Sequence, residues 1–138
     1  MINKPELLRY LRKQFRLDWH GIHGAAHWAR VRLNGVTMAR ANGARAADFV
    51  AGLNGAYFQL DALGLDMLVH ACRHHSDGMT EADLTIQTCW DSDRLDLARV
   101  GIWPDPQRLC TAAAREPSFM ELAIDRSLGR APDLRVDD

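Results

Sequence analysis

Apolar residues recur at intervals of three and four along the chain, and no segment alternates apolar with polar positions over the length of a strand. Asn3, Pro5 and Glu6 form a helix start, a capping side chain followed by proline and an acid in the first turn. Leu7, Leu8, Leu11 and Phe15 then mark one apolar stripe, which predicts a helix over residues 4–16. Its other face, with Arg9, Arg12, Lys13 and Arg16, reads as solvated charge.

A second helix is expected from His23 to Arg40, with Trp28, Val31 and Val36 among its apolar positions and Asn42-Gly43 as its stop. Ala44 to Leu53 reads as a third, ended by Asn54-Gly55, and Leu60 to His75 as a fourth. Thr80, Glu81 and Asp83 supply a cap and first-turn acids for a fifth, which carries Ile86, Trp90, Leu95 and Leu97 on to Val100. Pro104-Asp105-Pro106 interrupts the pattern, Gln107 to Ala114 makes a short helix, and Glu116-Pro117-Ser118 opens a last one to Leu128. The expected architecture is one all-α domain over residues 1–128, with 129–138 as a flexible tail.

Composition narrows the class without changing it. A chain of 138 residues with 47% hydrophobic and 25% charged residues and a net charge of -1 has enough material for its own core and no basic excess to attract nucleic acid. No stretch approaches the roughly 18 apolar residues of a membrane span, and the N-terminus lacks the apolar region of a secretory signal, so the expected location is cytoplasmic with no membrane contact. Cys72, Cys89 and Cys110 are odd in number and set in apolar helical surroundings, and are read as reduced core residues.

The candidate chemistry lies in two histidine clusters. His20, His23 and His27 precede Trp28, and His70, His74 and His75 precede Ser76-Asp77-Gly78. A third acidic run, Cys89-Trp90-Asp91-Ser92-Asp93-Arg94-Leu95-Asp96-Leu97, follows. His23 and His27 are four apart and share a helix face, where two imidazoles can chelate a metal or line a packed polar groove. His70 reads as a satisfied core histidine. Asp96 and Arg99 read as a surface pair, and Asp91 as a partner for Arg94 or Arg30.

The order of these clusters, His27-Trp28-Ala29-Arg30-Val31, then His74-His75-Ser76-Asp77-Gly78, then Asp93-Arg94-Leu95, resembles the HD superfamily of metal-dependent phosphohydrolases. The likeness spans about residues 20–115 and is most specific in the Cys89–Ile102 run. It implies an HD-domain-like helical bundle in which His27 and Asp93 match the first and last metal ligands, with Asp91 as an alternative in the same motif. It also implies that His23, Arg30, His75 and Arg94 line the site or bind substrate, the arginines neutralising phosphate charge or else pairing with Asp91 or Asp96. No catalytic residue is assigned.

The sequence departs from that pattern at its centre. No histidine in the chain is followed by aspartate, and only Ala44 separates Asn42-Gly43 from Arg45-Ala46-Ala47, where the family carries a helix with the His-Asp pair. The implied cofactor is a divalent ion (Mn, Fe, Ni, Zn or Mg) and the implied ligand a phosphorylated small molecule such as a phosphoester or nucleotide. A chain reduced to two ligands is expected to be an impaired enzyme, since catalytic sites use three or more protein groups. The alternative is a non-catalytic helical binding or scaffold module. Loss of the central helix would also expose apolar surface and favour a homo-oligomer. One prediction follows from the periodicity alone: the far-ultraviolet circular dichroism spectrum is helical, and substantial strand content in it would refute the all-α assignment.

Overall fold

The computed structural model describes residues 4–41 and 61–131, and among these there is no strand. Six α-helices follow in order: α1 Lys4–Gln14, α2 Ala25–Ala41, α3 Ala62–His74, α4 Leu84–Arg94, α5 Ala112–Arg115 and α6 Pro117–Ser127. Two 3-10 turns, Leu97–Val100 and Pro106–Arg108, lie between α4 and α5. The helix expected over Ala44–Leu53 and the Asn42–Ala44 junction lie outside the described residues. No described helix is long and apolar enough to cross a membrane.

Helices α3 to α6 each begin where a side chain captures a free backbone N–H. Asp61 accepts from the Gly64 amide at 2.8 Å and starts α3. Asp83 accepts from the Thr85 amide at 2.8 Å. That second capture starts α4 later than Thr80, the expected cap: Thr80 instead gives its carbonyl to the Gln87 side chain at 2.9 Å, and Asp83 outcompetes its hydroxyl for the free amide. The other end of α4 is also shorter than expected. The Leu95 amide still reaches Asp91 O, but Asp96 N–H bonds to Asp93 O at 3.0 Å, a tighter spacing that turns the chain into the 3-10 segment. Gly101, at φ 81°, then ends that segment, its amide on Ala98 O and the Ile102 amide on Leu97 O.

The most extensive packing is α2 on α4, with α3 on the same helix and α6 against α2 and α5. Met38, Leu95, Leu109, Ala114 and Ala123 form one buried cluster, covered by Phe119 and Met120. Ala71, Ile86 and Trp90 form the other, closed by the Trp90 Nε1–H bond to Ala71 O at 3.0 Å. Phe15, Trp19 and Trp28 pack edge to face, with centroids 5.1–5.8 Å apart, and fix the entry into α2. Between α2 and α6 the packing is polar: Arg126 Nη1 donates to Asn34 Oδ1 at 3.2 Å, and burial lowers the Arg126 pKa.

The cysteine expectation holds only in part. Cys89 and Cys110 are half-buried, and burial pushes both thiols up to about 11. Cys72 is exposed, one position along α3 from buried Ala71. It is not a core residue.

The turn before α2 has no room for a side chain at Gly24. A Cβ at Gly24 would lie 2.0 Å from Trp19 O, whereas one at Gly35, in the α2–α4 contact, would meet Ser92 at an ordinary 3.6 Å. Gly24→Ala is therefore expected to cost about 2 kcal/mol or more in denaturant unfolding, and Gly35→Ala less than about 1 kcal/mol. Equal costs at the two positions would contradict this account of the turn.

Candidate functional site

The entry turn and α2 project His23 and His27 toward α4, and the last turn of α4 projects Asp93 back toward them. His27 Nε2 lies 3.5 Å from Asp93 Oδ1, although 66 positions separate them in the chain order from 27 to 93. The same ring is held on its other side: His27 Nδ1 lies 2.7 Å from Asp96 Oδ2, a fully buried carboxylate. Asp96 also accepts from Arg30 Nε at 2.7 Å and Nη2 at 3.3 Å, and Arg99 Nη1 lies 3.4 Å away. A carboxylate surrounded by guanidinium donors acts as an acceptor, which assigns the donated proton to His27 Nδ1 and leaves Nε2 facing Asp93.

These residues border a cleft of about 990 Å³ between α2, α3, α4 and the segment after it. His23, His27, His75, Asp93 and Arg94 all line it. The rings of His23 and His27 are 6.5 Å apart and perpendicular, so the pair converges only loosely. His75 is exposed on the far wall, its Nδ1 donating to Cys72 O at 2.7 Å. Arg30 is not among the lining residues, its guanidinium being directed to Asp96.

Two expected pairings take other partners. Arg94 donates to the carbonyls of Met79 at 2.6 Å and Arg108 at 2.9 Å, and its guanidinium lies over the Trp90 ring. Asp91, also fully buried, accepts from the Cys110 and Thr111 amides at 2.7 and 2.8 Å and from the Thr111 hydroxyl at 2.9 Å. Arg94 therefore pairs with neither Asp91 nor Asp96, and Asp91 is consumed by the backbone ahead of α5. His70 is half-buried, its ring 4.6 Å from that of His74 and 5.9 Å from that of Trp90.

No protein-family model matches the chain, and neither does any curated protein or solved structure. The site therefore stands on its own geometry. Among the described residues no three of His, Cys, Asp and Glu gather closely enough to hold a metal ion. His27 and Asp93 offer two donors, fewer than a catalytic metal centre needs, so the described residues do not complete such a centre.

The expected contacts of Asp96 with Arg30 and Arg99 both form, but around a fully buried carboxylate and not on the surface, and its hold on His27 was not foreseen. A signal was available: His27 and Arg30 are three apart on α2, and Asp93 and Asp96 are three apart on the facing segment, so a basic pair and an acidic pair of equal spacing can mesh.

The two carboxylates are expected to separate experimentally. Asp96→Asn strands two guanidinium groups against a weakened partner and is expected to cost about 3–5 kcal/mol of stability. Asp93 has 32% of its side chain exposed, and Asp93→Asn is expected to change stability by less than about 1 kcal/mol. Denaturant titrations in which the costs are reversed would refute the division of roles.

Proposed function

We propose that this chain is an HD-like helical domain related to metal-dependent phosphohydrolases, with a cleft for a phosphorylated small molecule and a hydrolytic capacity impaired by the missing central His-Asp pair. The observation that carries the reading is the 3.5 Å approach of His27 Nε2 to Asp93 Oδ1, at the wall of a cleft and with the imidazole oriented from behind by Asp96. An imidazole fixed through one nitrogen by a carboxylate, with the other turned toward a second carboxylate at the wall of a cleft, is an arrangement compatible with metal ligation. A divalent ion would supply Lewis-acid polarisation of a phosphoryl oxygen, and no step through it is derived from two donors.

What the chain's own side chains do is bind and orient. His23 and His75 present ring nitrogens to the cleft, His75 through Nε2 because its Nδ1 donates to Cys72 O, and Arg99 adds positive charge to the lining, partly neutralised by Asp96. The second reading, a non-catalytic binding module with the same cleft, is favoured by the absence of a third ligand among the described residues.

Metal and turnover measurements discriminate the two. The expected outcome is weak Mn²⁺ binding, well above micromolar in dissociation constant, lowered further by His27→Ala and Asp93→Ala, with little p-nitrophenyl phosphate hydrolysis. Near-stoichiometric metal in protein purified without additions, together with turnover abolished by either substitution, would overturn the impaired-enzyme reading and restore a full hydrolase. Absence of any His27-dependent metal binding would leave the binding module.

A further inference from the structure

The cleft has a polar end, where His23, His27 and Asp93 meet, and an apolar wall built from Val31, Leu68, Leu97 and Ile102. Trp103 lies on that wall and is 62% exposed, although it is the largest side chain there. Its backbone is fixed on both sides. Gly101 turns the chain at φ 81° with two amide bonds back into the 3-10 segment, Pro104 is buried, and Asp105 Oδ1 accepts from the Gln107 amide at 2.9 Å. The turn thus fixes where the indole is attached, and a side chain with only two rotatable bonds loses little freedom when a ligand stacks on it.

Two polar side chains that follow Trp103 within five positions, Asp105 and Arg108, line the same cleft. Arg108 has 82% of its side chain exposed, and its Nε is 3.9 Å from Asp105 Oδ2, too far for a hydrogen bond. The guanidinium thus keeps donors to offer, and Asp105 Oδ2 keeps acceptor capacity. A flat apolar face flanked by one donor and one acceptor fits a planar ring with a hydrogen-bonding edge, and fits a flexible alkyl chain poorly.

We propose that Trp103 is the specificity-determining residue of this cleft, stacking on a planar aromatic ring of the ligand whose charged head lies at the His27 end. This deepens the phosphoester reading and rests on it for the nature of the head group, while the ring subsite itself rests on Trp103, Asp105 and Arg108. The ring could belong to a nucleobase or to a simple aryl group; stacking is common to both.

Binding titrations with AMP, phenyl phosphate and ribose 5-phosphate, followed by calorimetry and tryptophan fluorescence, test it. AMP is expected to bind about tenfold tighter than ribose 5-phosphate and to quench fluorescence. Trp103→Ala brings the two ligands to similar affinity. Trp103→Phe retains most of the preference while removing the quench, and as it keeps a ring at the same place it also serves should the alanine variant fold poorly. Phenyl phosphate binding near AMP assigns the preference to any flat ring, and binding near ribose 5-phosphate assigns it to a nucleobase edge read by Asp105 and Arg108. Equal binding of AMP and ribose 5-phosphate, no binding of either at millimolar concentration, or an AMP preference unchanged in Trp103→Ala would overturn the proposal. These readouts need no metal. A ring preference without His27-dependent Mn²⁺ binding would fault the phosphohydrolase-like reading alone, and Mn²⁺ binding without a ring preference would fault the ring subsite alone.

Discussion

A carboxylate with no solvent exposure is tolerable only if its charge is answered inside the protein, and Asp96 is answered by two guanidinium groups and an imidazole. Arg30 and His27 come from α2, and Arg99 from the turn that follows α4. The same Arg99 reaches Ile22 O at 3.0 Å and Asp96 O at 2.7 Å, so the entry turn to α2 is tied to the same point. Two segments distant in sequence, 22–30 and 96–99, are thus held together around one anion. Removing it does not delete a contact so much as leave buried cations without a counter-charge, which is why its loss costs far more than that of a surface ion pair.

This pairing also explains the shape of the chain around it. Asp96 must face α2, and a regular continuation of α4 would compete with that orientation; the backbone instead tightens at Asp93–Asp96 and proceeds as a 3-10 turn. Asp91 solves a similar problem on a different side of α4, where its two oxygens take the amides of Cys110 and Thr111 and hold the stretch before α5. Thr111 returns its hydroxyl to the same carboxylate while capping α5 through the Ala114 amide. Arg94, between them, donates to the carbonyls of Met79 and Arg108 and so ties together the two ends of the intervening loops.

What could be read in the sequence was what depends on neighbours in sequence. The apolar period gave the helical class, and the cap-and-stop residues gave α1, α2, α3 and α6 to within a few positions. The juxtaposition of His27 with Asp93 was also anticipated, from the order of motifs, not from any local rule. Two misreadings share one cause: α4 stopped early because Asp96 pairs with α2, and Arg94 found carbonyls in place of acids, each decided by a partner whose position only the tertiary structure supplies. The displacement of Thr80 by Asp83 was local, a choice between two neighbouring caps. Cys72 differs, since residue type suggested burial and the residue instead lines the open cleft.

The three acids of the α4 region therefore divide by how completely the protein satisfies them. Asp91 and Asp96 accept every hydrogen bond their surroundings offer, and a ligand could engage either only by dismantling the contacts that order the fold. Asp93 is different: it is partly exposed, borders the cleft, and has as its near partner an imidazole nitrogen at 3.5 Å, longer than a good hydrogen bond. An acid left with spare acceptor capacity opposite a histidine whose orientation is fixed from behind is poised to bind something that enters between them. Architecture has used the other two, and what chemistry this helix retains resides in Asp93.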